Sequence, residues 1–275
     1  PKFMVSLLKA WWGAAATKEN QFAYEFLPKA DKAYDMMMIG DLAHEGKLTG
    51  LVAQGHNFVA SVPDKAKQVE ALSKLKWLVT IDPLATETAV FWKKDGEFND
   101  VDPARIQTEV FRLPSSTFAE DEGSFTNSSR CLTWHWAAAE PPGEARRDID
   151  IVAELFQRVR ALYEREGGAV PEPITRLHWP YRRPTAPSPE ELAKELNGYA
   201  IGEVLDPKDP TKVLARPGEQ LASFAHMRDD GSTAGGCWIY SGMWTQAGNM
   251  TARRDTTDPT GLGVTPGWGF AWPAN

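Results

Sequence analysis

Two short apolar runs, residues 51–53 and 77–81, stop abruptly at small or polar residues, as strands of a buried sheet do. Between them, Ala66, Val69, Leu72 and Leu75 recur at helical spacing after a Pro-Asp start, which predicts a helix over residues 64–75. A connection of that length suits a parallel crossover, and such crossovers are right-handed almost without exception. Both strands then end on one edge of one sheet. Gln54, Gly55, His56 and Asn57 follow the first strand, and Ile81 and Asp82 close the second. Open α/β sheets bind ligands at that carboxyl edge, so the pattern predicts a nucleotide-type site there.

The same rhythms order the remainder. Residues 3–12 are apolar nearly all round and predict a helix buried between elements. Residues 18–32 read as a loop with a helical turn, and residues 35–45 as a helix closed by Gly46. Its three methionines read as core filler rather than a soft-metal site. Residues 86–92 predict a short helix or turn, 93–107 a polar loop, 109–113 a third strand stopped by Pro114, and 130–136 a further strand. After the turn at 140–147, Asp148 is read as the cap of an amphipathic helix. Its stripe holds Ile151, Val152, Leu155, Phe156, Val159, Leu162 and Tyr163, and Gly167-Gly168 ends it. Residues 169–189 look extended, 189–196 helical, and the rest is rich in Gly, Thr and Trp. The expected organisation is a helical lead-in (1–46), an α/β domain with a parallel, Rossmann-like sheet (47–167), and an irregular aromatic- and Gly/Pro-rich extension (168–275).

Composition changes this picture little. Over 275 residues, 42% hydrophobic and 24% charged content describes an ordinary folded chain. A net charge of −7 argues against nucleic acid as a partner, since phosphate binding needs a basic surface. No apolar run approaches membrane-spanning length. Cys131 and Cys237 lie far apart without metal-like spacing and read as two unpaired thiols before a disulfide. The start at Pro1 and the finish after an aromatic stretch look cut from a longer polypeptide.

Candidate chemistry gathers at the predicted edge. No G-x-G-x-x-G or G-K-[ST] loop is present, which disfavours an ordinary nicotinamide, flavin or phosphate-loop site. Gly55 lets backbone N–H groups approach a ligand closely, or simply makes a tight turn. Asp82 can take paired N–H bonds from a guanine edge, bind a ribose hydroxyl, or cap the turn before Pro83. Thr86 and Thr88 offer hydroxyls to the same ligand or begin the next helix. Glu120, Asp121 and Glu122 read as a solvated acidic loop, and His135 as a packed histidine. The five histidines form no metal motif, and no catalytic triad can be picked out. The residues alone describe a binder at a sheet edge with no catalytic or metal-ligating residue. A free-standing nucleotide-binding module, or a segment docking through its Trp-rich tail, are the alternatives.

The order QGHNFVAS, VTIDPLATETA, EVFRLPSSTFAEDEGSFTNSSR and AAEPPGEARRDIDIV resembles the molybdopterin oxidoreductase family. Within it, the likeness is to the large subunits of periplasmic respiratory formate dehydrogenases of the membrane-linked N and O type. The stretches SFAHMRDDGSTAGGCWIYSGMWTQ and DPTGLGVTPGWGFAWP resemble that subunit's own extension. The resemblance implies formate oxidation to carbon dioxide at molybdenum or tungsten held by a bis-molybdopterin guanine dinucleotide, with a [4Fe-4S] cluster nearby. The metal ligand, its partner histidine and the cluster cysteines lie upstream of the matched region in that family and have no counterpart here. The chain alone is therefore expected to be inactive. Implied partners are the remainder of the large subunit, an iron–sulfur electron-transfer subunit and formate, with a periplasmic location. By the same likeness Gly55, His56, Asn57, Ile81 and Asp82 would line one guanine dinucleotide, and Asp121 and Asp148 would touch it. Phe58 stands where many relatives have proline.

Overall fold

The computed structural model describes residues 1–93, 101–127, 131–252 and 272–273. The chain divides into two compact units, one of Lys29–Asp121 and Ala138–Ile151, the other of Pro1–Pro28, Glu122–Ala137 and Val152–Asn275. This differs from the expected partition at residues 46 and 167. The helix ahead of the first strand joins the sheet unit, and the long helix from Asp148 belongs to that unit only through its first turn.

In the second unit, α1 (Lys2–Trp12) buries Val5, Leu8, Ala10 and Trp12 but leaves Met4 and Trp11 exposed, so it is less enclosed than its composition suggests. The sheet unit begins with α2 (Met36–His44), whose first turn is capped by Asp35 accepting from Met38 N at 2.8 Å. Gly46, at φ +70°, lets the chain leave that helix in the left-handed region. Three parallel strands follow: β1 (Gly50–Gln54), β2 (Trp77–Asp82) and β3 (Glu109–Pro114), in the spatial order β1-β2-β3. Val52 pairs with Val79 and Val79 with Phe111, so the predicted crossover and its shared edge are present.

The β1–β2 crossover holds two helices where the sequence showed one. α3 (Phe58–Ser61) is a single turn, too short to leave a periodic signal, and α4 (Lys65–Ser73) is the expected helix. Asp64 caps α4 from a left-handed conformation (φ +62°), accepting from Lys67 N at 3.2 Å. Phe58, Val69, Leu72 and Leu78 are buried together with Phe91, against Leu51 and Val110. Removing Phe58 and Leu72 wholly from water is worth about 1.5–3 kcal/mol each. Residues 86–92 hold a 3-10 turn at Glu87–Val90; part of the expected loop at 93–107 lies outside the described residues.

The second unit continues with the antiparallel hairpin β4 (Gly123–Thr126) and β5 (Cys131–His135); Arg130, the expected start of that strand, lies outside the described residues. His135 stacks on Phe125 with ring centroids 4.5 Å apart. α5 (Asp148–Glu166) is entered through Arg147, whose carbonyl accepts from Ile151 N, and Asp148 sits in its first turn rather than at its cap. The stripe expected on α5 splits. Ile151 is buried and Phe156 packs on Trp179, but Val152, Leu155 and Leu162 are 41–45% exposed. The segment expected to be extended contains a short helix, α6 (Pro171–Thr175). α7 (Pro189–Asn197) opens with a reciprocal Ser188–Glu191 cap and ends at Gly198, φ +94°. Cys237 is a free thiol; the Cys131 side chain and the tail tryptophan Trp268 lie outside what is described.

Candidate functional site

The three strands of the sheet unit end on one edge. After β1 the backbone turns at Gly55 (φ +57°), whose N–H donates to Ile81 O at 2.8 Å and so ties the tip of β1 to β2. A side chain at position 55 would meet no atom within 4 Å, so the space over this glycine is open and its glycine answers to the backbone angle. After β2, Asp82 Oδ1 accepts from Leu84 N at 3.0 Å, which shapes the Asp-Pro turn and leaves Oδ2 for another donor. After β3, Ser115 N donates to Asp82 O. Residues near Arg146 run alongside: Ser116 N donates to Arg146 O at 2.8 Å, and Arg146 N to Pro114 O at 3.1 Å.

Asn57 anchors this edge. Its Oδ1 accepts from Thr88 Oγ1 at 2.9 Å and from Ala60 N in the first turn of α3, while its Nδ2 donates to Glu87 Oε2. Thr88 is 1% exposed, and its hydroxyl also accepts from Val59 N at 3.0 Å. Asn57 and its own backbone hydrogen bond hold the Glu87 carboxyl below the usual range, the backbone bond being the larger influence. Two polar atoms at the same strand ends are left over. His56 Nε2 and Ser116 Oγ are buried with no hydrogen-bond partner among the described residues. Buried polar groups without partners are rare and call for a specific reason.

Each expected site residue can now be placed. Gly55, His56 and Asn57 lie together at the tip of β1, with Ile81 and Asp82 at the neighbouring tip. Ile81 is 1% exposed, so only its backbone faces the edge. Thr88 spends its hydroxyl on Asn57 and Val59 and so braces the edge. Thr86 precedes the 3-10 turn, and its carbonyl accepts from Ala89 N. Asp121 ends the 3-10 turn Phe118–Glu120, which a reciprocal Thr117–Glu120 cap closes. Of the expected acidic loop, Glu120 thus closes a turn, and Glu122 accepts from Trp134 Nε1 at 3.2 Å. Asp148 Oδ1 accepts from Gln54 Nε2 at 2.9 Å, fastening the start of α5 to the end of β1. Phe58 N donates to His56 O at 3.1 Å, a bond that proline at this position could not make.

The sequence reading placed Gln54 at this edge but missed Ser116 and Glu87 as members of it. A signal for Ser116 was available: a third parallel strand must end beside the first two, and Ser115-Ser116 follow it directly. Glu87 gave none, because its pairing with Asn57 joins residues 30 positions apart. Among the described residues, no group of three or more His, Cys, Asp or Glu side chains is placed to hold a metal ion. Nor is any described helix long and apolar enough to cross a membrane.

A family model described as molybdopterin oxidoreductase matches residues 111–158, from β3 through the first half of α5. The chain is 54% identical over its 275 residues to the nitrate-inducible formate dehydrogenase major subunit of Escherichia coli (strain K12), covering 27% of that protein. It is 51% identical to the formate dehydrogenase-O major subunit of the same strain, again over the whole chain and 27% of the relative. With the formate dehydrogenase 2 subunit alpha (cytochrome c-553) of Nitratidesulfovibrio vulgaris it shares 41% over 281 aligned residues, covering 26% of that protein. The chain thus spans about a quarter of the length of these curated relatives.

Proposed function

We propose that this chain, homologous along its whole length to formate dehydrogenase major subunits, forms one side of a molybdopterin cofactor cradle in an oxidoreductase that oxidises formate. The observation that carries the reading is the state of the carboxyl edge. Gly55 leaves open space, and at the same strand ends His56 Nε2 and Ser116 Oγ are buried without partners among the described residues. Such an edge fits a ligand rich in donors and acceptors, as the guanine dinucleotide arm of a bis-molybdopterin cofactor is. The Gly55 turn would admit the ligand close to backbone, His56 and Asp82 Oδ2 would meet its polar groups, and Asp82 suits a guanine N–H pair or a ribose hydroxyl. Asn57, Thr88 and Glu87 would hold the shape of the turn. Asp121 and Asp148 are assigned weaker contacts, Asp148 already sharing one oxygen with Gln54.

The bound group, with molybdenum or tungsten, supplies the redox chemistry on formate, while this chain binds and orients it. The metal ligand and the [4Fe-4S] cluster are assigned to the remainder of the large subunit, electrons to an iron–sulfur partner subunit, and the assembly to the periplasm. The test is Asp82→Ala in the intact large subunit, with metal and pterin content measured after purification. Losing a carboxylate hydrogen bond to the ligand is expected to weaken retention by about tenfold or more, with a smaller loss for Asp121→Ala. Asp82→Asn keeps an acceptor for Leu84 N and separates the ligand contact from the turn. Unchanged cofactor content in both Asp82 variants rules the assignment out.

A further inference from the structure

We infer that Trp179, Tyr181 and Glu195 form a proton-coupled redox site. A one-electron oxidant from solution takes an electron from the Trp179 indole; Tyr181 replaces it while passing its phenolic proton to Glu195. The three residues belong to the second unit, two from the segment between α6 and α7 and one from the last turn of α7. Tyr181 is 9% exposed, and its hydroxyl donates to Glu195 Oε2 at 2.6 Å. That length lies in the range of charge-assisted O–H···O bonds, and it aims the phenolic proton at a group able to accept it. The Tyr181 and Trp179 rings meet edge to face with centroids 4.8 Å apart, so an electron passes between them without a carrier. Trp179 itself is half-buried and open to solvent on part of its surface.

The surroundings set the direction of transfer. Trp179 Nε1 donates to Pro184 O at 2.8 Å, and a backbone carbonyl is no proton carrier, so an oxidised indole here keeps its proton and its positive charge. Phe156 of α5 packs on Trp179 at 4.5 Å, and the Arg160 guanidinium lies over Phe156 at 4.8 Å. A fixed cation one ring away repels that charge. At Tyr181 the balance is reversed. Burial, and then the Glu195 carboxylate, push its hydroxyl far above the ordinary value of 10.0, so the proton does not leave by itself. Loss of an electron makes a phenol strongly acidic, and the proton then crosses to Glu195. Burial makes that carboxylate a stronger base than an exposed one. The step balances: the oxidant gains one electron from Trp179, Tyr181 returns one to the indole, the Tyr181 O–H bond breaks and an O–H bond forms at Glu195 Oε2. The products are an intact Trp179, a neutral tyrosyl radical and a neutral carboxylic acid, so a buried charge is discharged in the same event. Around the pair, the Tyr199 hydroxyl is raised by burial, and Glu191 accepts from Arg182 N and from Ser188. Elsewhere on α7 Lys194 pairs with Glu190, and on the turn packed against that helix Tyr240 accepts from Thr126.

The test is flash oxidation of the 275-residue chain by photogenerated ruthenium(III) tris-bipyridine, with the radical followed by transient absorption and identified by EPR. The parent is expected to give a tyrosyl radical. Its formation should slow in heavy water and quicken as the pH rises through the folded value of Glu195, because only the carboxylate takes the proton. Tyr181→Phe should abolish the radical. Glu195→Gln still accepts the hydrogen bond but takes no proton, and should slow formation about a hundredfold or more and remove the pH dependence. Trp179→Phe keeps a ring in place without the indole and should slow it at least about tenfold. No tyrosyl radical in the parent, or an undiminished one in Tyr181→Phe, overturns the inference. An unchanged rate in Glu195→Gln overturns the proton transfer, and one in Trp179→Phe overturns the relay. Should a variant fail to fold, the parent decides: a rate indifferent to both heavy water and pH overturns the inference. None of these readouts depends on cofactor loading, so they stand or fall apart from the cradle assignment.

Discussion

Asn57 and Asn197 each follow or end a regular element and gather hydrogen bonds from several segments, yet their surroundings are opposites. Asn197 is 0% exposed, and both ends of its amide are used. Its Oδ1 accepts from Gly242 N at 2.7 Å and Trp244 N at 3.1 Å, and its Nδ2 donates to Gly198 O and Leu221 O. Asn57 is only half-buried, and the residue before it keeps a buried nitrogen unpartnered. One asparagine closes a network in which nothing is left over; the other stiffens an edge where something is. Polar saturation accompanies the structural role of Asn197, and the polar deficit beside the Gly55 turn is the observation behind the proposed ligand edge.

If that contrast holds, Asn197→Ala is the most damaging single change in the chain. It strands two N–H groups and the Leu221 carbonyl in the interior, and a loss of about 3 kcal/mol or more is expected in urea unfolding followed by Trp fluorescence. A loss under about 1 kcal/mol would mean that backbone shifts or water satisfy those groups, and the contrast would fail. Thr88→Val, nearly isosteric, comes next. It leaves Val59 N without its acceptor and removes one donor to Asn57 Oδ1, for about 1–3 kcal/mol, and Thr88→Ser should restore most of it. Gly55→Ala should cost about 1 kcal/mol, from backbone strain alone, since the site is open to a methyl group. A much larger cost would show that the space over Gly55 is already filled in the folded chain.

The sheet and its edge were legible because both signals are local. Residues 51–53 and 77–81 are short apolar runs bounded by breakers, the helix between them is periodic, and handedness does the rest. The role of Thr88 was not legible, because its partners Asn57 and Val59 lie 31 and 29 residues away and a threonine after a strand reads equally as a ligand contact. Periodicity also misled at α5. The pattern of Val152, Leu155 and Leu162 announces a buried stripe whether or not its cover is present, and these residues stand open. The irregular half was the least legible, since the hydrogen bonds of Asn197 reach 23–47 residues along the chain except for that to Gly198.

The subtlest difference between the two regions is the sign of their response to pH. In the irregular unit, burial raises the Glu195 carboxyl above its ordinary value of 4.5, against the smaller opposing effect of the Tyr181 hydroxyl, which donates to it at 2.6 Å. The folded state therefore keeps this proton where the unfolded chain has lost it. The stabilisation is complete below pH 4.5 and is lost as the pH rises through the raised folded value. Glu87 at the sheet edge behaves oppositely: its carboxyl is lowered, so its contribution is present above 4.5 and disappears as the pH falls through the folded value. Stability measured from pH 3 to 8, as the difference between the parent and each variant, should separate them. Glu195→Gln, which still accepts from Tyr181, is expected to gain on the parent as the pH rises. Glu87→Gln is expected to lose ground to the parent as the pH rises through the acid range, by a smaller amount because Glu87 is exposed and screened. Two slopes of the same sign would mean that the Glu195 carboxylate reaches solvent in the folded state, and the closed network around the Tyr181 hydroxyl would have to be redrawn.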